Sequence, residues 1–566
     1  DSEAREKSRN YALTAAYTAL DRREPGYALT VLESDFERAI KRIQDDIDAD
    51  IVYTTARALY LSGNEEEAYR VSRKLFDYYA HNSNIEGMIK VALLPVYVGW
   101  EEPSFIGFFE EILEVVPEGS REEGRVLTFY ANALMQCTGD YKKAVTLLER
   151  ALELSHDLKD PLVRMRALMP LSCYDYVWGN ISLAWEKLRK AEKLLKKCPD
   201  AYTDTNVLLG KRVLSVTEGR PEEFEPQIPV LMEKTRRLEK YYNLWLSYVL
   251  CARLMMLNGR WVEAEEFIRR GLEVYPDNPN LLWTLACIQY SGGDLSGADY
   301  TRRKLITTSR LNSIGRYFTN LYASAATIVR AEVTGDTAEL KKWIPGLQEI
   351  CEHGRLHPFL VLRAHVLLCA ASFLLSDQRL ARMHSKAVRD FEGLHLIRPY
   401  FRSRACGLAA HCLENHGQAS TDLREALRSA IHYKDIPMEG WIRYELARVE
   451  ISLGHSGNSV REGLHRAAGI ARRMGIEPLE TKSDGLLEIL KSDGDGHGRD
   501  HLHLSEREKE VLELIADGFT NASIADELGI SVNTVANHLG HILEKTGAGT
   551  RVGAVAAARR HGIIHD

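Results

Sequence analysis

Apolar residues recur at helical spacing along nearly the whole chain, and no stretch sustains the two-residue alternation of a half-buried strand. From about Ser2 to Leu490 these periodic segments are interrupted at glycines, and an alanine follows five residues after each break. Gly63 is paired in this way with Ala68, Gly139 with Ala144, Gly179 with Ala184, Gly259 with Ala264 and Gly293 with Ala298. Glycine takes the left-handed conformation that ends one helix, and alanine lets the next helix pack closely against it. Gly259 and Gly293 lie 34 residues apart, as do Ala264 and Ala298, and Ala252 and Ala286 keep the same offset in the preceding helix. The pattern predicts a long series of paired helices. It is irregular, since Ala144 and Ala184 are 40 apart. Past Leu305 it fades, so pairing is expected there without an assignable register.

The last 65 residues have a different rhythm. Ser505 with Glu508 three positions later is a capping box, which predicts a helix start. Val511, Leu512, Leu514 and Ile515 form its apolar stripe, and Gly518 is placed to end it. Thr520 or Asn521 then caps a short helix carrying Ile524, Ala525 and Leu528, and Gly529 and Ile530 make a turn. Ser531 caps a third helix running to about Thr546, closed by Gly547, and a fourth is expected from Val552 to His561. In the third helix Val535, Leu539 and Ile542 share one side. Asn533, Thr534, Ala536, Asn537, Gly540, His541 and Lys545 occupy the other. A narrow face of short, hydrogen-bonding side chains fits the DNA major groove, where Asn pairs with adenine and small residues meet a thymine methyl.

Both regions resemble known families. The 34-residue period is that of the tetratricopeptide repeat (TPR), and helices 1–490 are similar to a TPR-like array. Such repeats stack into a superhelix with a concave side, where a ligand or protein partner is expected. The aromatic stretches Cys173–Asn180 and Tyr241–Leu250 are candidates for that surface, against the commoner reading that they pack between helices. Residues 502–566 resemble the LuxR-type (GerE-like) helix-turn-helix domain through Leu504, Ser505, Glu508, Val511, Gly518, Asn521, Ile524, Ala525, Leu528, Thr534, Val535, His538, Ile542, Lys545 and Arg551, among others. The resemblance implies a small four-helix domain with its helix-turn-helix at about 521–540. It implies DNA contacts at Ser531, Asn533, Thr534, Ala536, Asn537, His541, Lys545 and Arg551. Asn533, Ala536 and Asn537 would face bases, Thr534, Lys545 and Arg551 would hold phosphates, and Ser531 would cap the recognition helix. Two positions depart from the family: Ala536 stands where a Lys is usual, and Gly540 replaces a polar or basic residue.

The order of array and terminal domain is similar to the C-terminal part of large ATP-dependent LuxR regulators. No G-x-x-x-x-G-K-[ST] occurs, so ATP binding is not carried over. Residues 491–501, rich in Gly, Asp and His, read as a flexible linker. The fold class expected is all-α: a TPR-like α-solenoid followed by the helix-turn-helix domain.

Charge complicates the DNA reading. Residues 502–566 hold six Lys and Arg against nine Asp and Glu, a net charge of −3, within a chain of net charge −7. Phosphate neutralisation dominates DNA affinity, so weak binding as a monomer is expected. A homodimer or higher oligomer on neighbouring half-sites offsets that weakness. The alternative is an interaction scaffold whose terminal domain serves packing or dimerisation. The nine cysteines are scattered and read as small buried hydrophobes of a reducing compartment. The chain begins at Asp1, shows no signal-peptide pattern, and has no apolar run near the 20 residues a membrane span needs. No G-x-S-x-G, H-E-x-x-H or kinase pattern is present. The expectation is a cytoplasmic transcription regulator, not an enzyme, without cofactor or metal. Its partners would be double-stranded DNA, a small-molecule inducer or protein in the array, and RNA polymerase if it activates.

Overall fold

The computed structural model describes residues 2–22, 24–62, 64–94, 106–237, 241–311, 316–353, 356–391, 393, 399–492, 504–546, 548, 550–560 and 563–564. Among them every regular element is helical. Twenty-five α-helices run from Ser2–Asp21 to Glu477–Ser492, and four more follow from Glu506–Ala516 to Arg551–Arg560. The linker assigned to 491–501 lies outside the described residues from 493 onward, while Lys491 and Ser492 complete the last array helix.

The glycine–alanine pairs organise the array as their spacing predicts. Gly139, Gly179, Gly259 and Gly293 have φ between +68° and +88°. Ala68, Ala144, Ala184, Ala264 and Ala298 are fully buried, each near the start of the second helix of a pair. Pairing continues beyond Leu305, where the pattern fades in the sequence. Pro358–Leu375 pairs with Gln378–Asp390, Pro399–Cys412 with His416–His432, and Ile436–Ser452 with Asn458–Met474. The five-residue offset survives there in disguise. Ser376 and Glu414 take the left-handed turn (φ 52° and 61°), and Ala381 and Ala419, five residues on, are fully buried. A non-glycine residue pays the backbone cost of that conformation, which is why a search for Gly misses these two turns.

The superhelix closes on itself. Residues 179 to 222 apart meet along a seam between successive turns. Trp261 Nε1 donates to the Met474 carbonyl at 2.7 Å, and the Ile436 amide donates to the Leu257 carbonyl at 3.0 Å. Lys434 reaches Glu222 at 2.6 Å, and His432 Nε2 sits 2.9 Å from the Thr217 carbonyl. The turn glycines make this approach feasible: a Cβ on Gly139 would overlap the Pro358 ring, and one on Gly259 would overlap Met474. At the first of these points His357 is almost fully buried. Its Nε2 lies 2.9 Å from the Met135 carbonyl, and its Nδ1 accepts from the Phe359 amide at 3.0 Å. His357 also caps the helix Pro358–Leu375. That helix is, among the described residues, the one long and apolar enough to cross a membrane. Here Leu360, Leu362, Ala364 and Leu368 are buried in the cores of the array.

The cysteine expectation holds in part. Cys251, Cys287, Cys369, Cys406 and Cys412 are buried, and Cys137, Cys198 and Cys351 are partly so. Cys173 is the departure: it is exposed, on the wall of a partly open cavity described below.

Candidate nucleic-acid interface

The terminal helices build their own core from residues 504–564. Leu504, Val511, Leu512, Ile515, Ile524, Val535, Ile542, Ala554 and Ala558 meet in one cluster. Each helix starts where its capping residue places it. Ser505 Oγ accepts from the Glu508 amide, and the Glu508 carboxylate accepts from the Ser505 amide at 2.6 Å, completing the capping box. Thr520, not Asn521, caps Asn521–Leu528, and Gly529 at φ +63° turns the chain. Ser531 Oγ accepts from the Thr534 amide at 3.1 Å and so starts Val532–Thr546. The fourth helix is Arg551–Arg560. Gly547, expected to close the third helix, lies outside the described residues, as do His561 and Gly562.

Helix Val532–Thr546 turns Val535 and Ile542 fully into the core, with Leu539 partly buried between them. Ala536, Asn537, Gly540 and His541 are exposed on the opposite side, one turn apart. The structure thus brings Ala536, Asn537 and His541 onto one outward face, with Ser531 exposed and Thr534 half-buried at its N-terminal end. The Ser531 and Thr534 hydroxyls are hydrogen-bonded to one another at 2.8 Å. The side chain of Asn533 lies outside the described residues.

Four of the domain's six cations have partners inside it. Lys545 is exposed along its stem, yet its ammonium meets both Glu508 oxygens, at 2.6 and 2.8 Å. Glu508 is 3% exposed, and its pKa is lowered although burial opposes this. Lys545 and the Ser505 amide outweigh the desolvation. Arg551 donates to the Phe519 carbonyl, bracing the loop between the first two helices. Arg507 donates to the Leu528 carbonyl at 2.6 Å and pairs with Glu510, and Lys509 pairs with Glu506. The sequence reading gave Lys545 and Arg551 to phosphates. It missed that both first hold the domain together, because their partners lie 37 and 32 residues away.

In the array the concave side holds a partly open cavity of about 800 Å³, lined by residues from Thr128 to Trp441. The two aromatic stretches divide between the alternatives. Tyr176, Trp245 and Leu246 line the cavity. Tyr174 and Trp178 pack instead around Tyr141, with ring centroids 6.1 to 6.4 Å apart.

These features define a class: an α-solenoid with a cavity on its concave side and a small helix-turn-helix domain at its end. Comparison with known proteins refines it. Residues 502–558 match the family "Bacterial regulatory proteins, luxR family", and residues 126–162 match the tetratricopeptide repeat. The chain therefore carries a LuxR-type domain and TPR-type repeats. It is 48% identical over 61 residues to the HTH-type transcriptional activator RamA of Corynebacterium glutamicum, covering 11% of this chain and 22% of that protein. It is 36% identical over 96 residues to the transcriptional regulatory protein LiaR of Bacillus subtilis, covering 17% and 45%. The match spans less than half the length of either relative. Among solved structures, a Rap protein complexed with competence and sporulation factor aligns over 75% of this chain and 98% of its own. The identity is 11% and the TM-score 0.38, too low to carry an argument.

Proposed function

We propose that this protein regulates transcription by reading double-stranded DNA with the helix Val532–Thr546, under the control of a ligand or protein partner held by the array. The observation that carries the reading is the outward face of Ala536, Asn537 and His541, held rigid by Val535 and Ile542 beneath it. Asn537 is the residue best suited to adenine, and Ala536 and Gly540 leave room for a thymine methyl. Ser531 and Thr534, at the positive end of the helix, suit a phosphate. Lys545 and Arg551 contribute through the N–H groups left after their internal bonds. A net charge of −3 over residues 502–566 makes single-domain binding weak, and the reading therefore includes a homodimer or larger assembly on paired sites. It carries a cytoplasmic location and no catalytic role, with RNA polymerase as a partner if the protein activates.

Genome-wide mapping of bound DNA, with Asn537→Ala as the control, tests the reading. Discrete sites that share a motif and disappear in the variant support it; sites that persist unchanged place recognition elsewhere. The second reading, an interaction scaffold with a helix-turn-helix kept for assembly, is favoured by the internal pairing of Arg507, Lys509, Lys545 and Arg551. A salt titration separates the two. A DNA reader loses affinity linearly in log–log form with a slope near −0.9 per phosphate contact, and a scaffold shows no such slope.

A further inference from the structure

Among the described residues, one arginine of the array-cavity wall forms no ion pair with an acid. Arg363, half-buried on the helix Pro358–Leu375, is caged by aromatic rings. Its guanidinium carbon lies 4.4 Å from the Trp283 ring centroid, 5.0 Å from that of Tyr322 and 5.9 Å from that of Phe359. Arg253 approaches the same Trp283 ring at 5.1 Å, so two guanidinium groups share one indole. All five side chains line the cavity. Two other arginines of the wall show the ordinary solution of pairing with acids. Arg404 is bound by Glu445 at 2.5 to 3.0 Å and by Glu332 at 2.8 Å, and Arg166 reaches Asp200 at 3.1 Å. Arg363, among the described residues, meets three rings and lies close enough to the Cys287 thiol to act on it electrostatically, and it forms no ion pair with a carboxylate.

Partly desolvated charges in proteins are normally paired, because burial without a counter-charge is costly. Ring faces recover part of that cost, and they also hold the guanidinium in place with its N–H fork unoccupied. A planar fork of this kind matches carboxylate and phosphate oxygens. The rest of the wall is dominated by Trp, Tyr, Phe, Leu and Val side chains, and its volume lies in the range of small-molecule sites. We propose that the cavity binds a small organic anion, a carboxylate or phosphate on an aromatic or aliphatic body, with Arg363 as its anchor and Arg253 beside it. The inference rests on the reading that the array is ligand-controlled, and it supplies the ligand's chemical class.

The test uses the full chain and two fluorescent probes of similar ring size. 1-Anilinonaphthalene-8-sulfonate carries an anion, and N-phenyl-1-naphthylamine is its uncharged counterpart. Energy transfer from Trp283, identified by its loss in Trp283→Phe, reports occupancy of the cavity. The readout is the ratio of the two affinities. Arg363→Met should lower the anion's affinity relative to the neutral probe by tenfold or more, and Arg363→Lys should restore the ratio to within threefold. A ratio unchanged in Arg363→Met overturns the anion assignment but leaves the cavity a ligand site. If neither probe draws energy from Trp283, the ligand-controlled array itself fails. Displacement of the sulfonate by octanoate, compared with octyl phosphate, then tells carboxylate from phosphate, with octanol as the neutral reference.

Discussion

Acidification should open the seam of the superhelix at His357. This imidazole is 2% exposed, and burial lowers its pKa from 6.5 to about 4, against a smaller opposing effect of the Met135 carbonyl. Its Nε2–H donates to Met135 while Nδ1 accepts from the Phe359 amide. A second proton would have to sit on Nδ1, where that amide already points. The unfolded chain takes up this proton near pH 6.5 and the folded chain only near pH 4. The stabilisation is therefore complete above pH 6.5 and is lost as pH falls from there through about 4. Each unit of displacement corresponds to about 1.4 kcal/mol. Relative to pH 7, the folded state should lose about 2 kcal/mol at pH 5 and about 3 kcal/mol at pH 4 through this residue alone. His384 and His411 are lowered too, to about 4 and about 3, chiefly by burial, so the bare pH profile sums several sites. His357→Asn isolates one, since Asn still caps a helix and does not titrate. Urea denaturation followed by circular dichroism at pH 7, 5 and 4 should show the wild-type advantage over the variant shrinking by those amounts. An advantage constant to within about 0.5 kcal/mol at all three pH values would refute the argument, because the ring would then be protonated equally in both states.

Gly259→Ala and Gly293→Ala form a matched pair. Both glycines are left-handed, at +68° and +88°, but only Gly259 faces Met474 across the seam, while Gly293 has open space. Gly293→Ala should cost about 1–2 kcal/mol, the backbone term, and Gly259→Ala roughly 1–3 kcal/mol more through overlap; equal losses in denaturation would remove the seam from the account. In the terminal domain, Ser505→Ala should reduce hydrogen-exchange protection of the helix Glu506–Ala516 by about fivefold, the equivalent of about 1 kcal/mol for a lost cap. Lys545→Met should reduce it further, because the buried Glu508 carboxylate is left without its cation. If Lys545→Met weakened DNA binding while leaving that protection intact, Lys545 would serve phosphates and not the fold.

What the sequence by itself determined is what neighbours within a few positions decide. The helix starts at Ser505 and Ser531, a second start at Thr520 or Asn521, the left-handed glycines, the alanines that follow them, and the split of Val535 and Ile542 from Ala536 and Asn537 all follow from caps and helical spacing, which act over one or two turns. Even the turns at Ser376 and Glu414 keep a legible trace in Ala381 and Ala419. Only the tertiary structure decided that the array closes on itself, because the seam joins residues 179 to 222 positions apart and no local pattern marks Met474 as the partner of Gly259 and Trp261. It alone decided which charges are already answered: Lys545 by Glu508, Arg404 by Glu445 and Glu332. It also left Arg363 facing a cavity among rings. Residue type sets the charge a side chain carries. Whether that charge remains available to a partner depends on what the rest of the chain brings within about 4 Å of it.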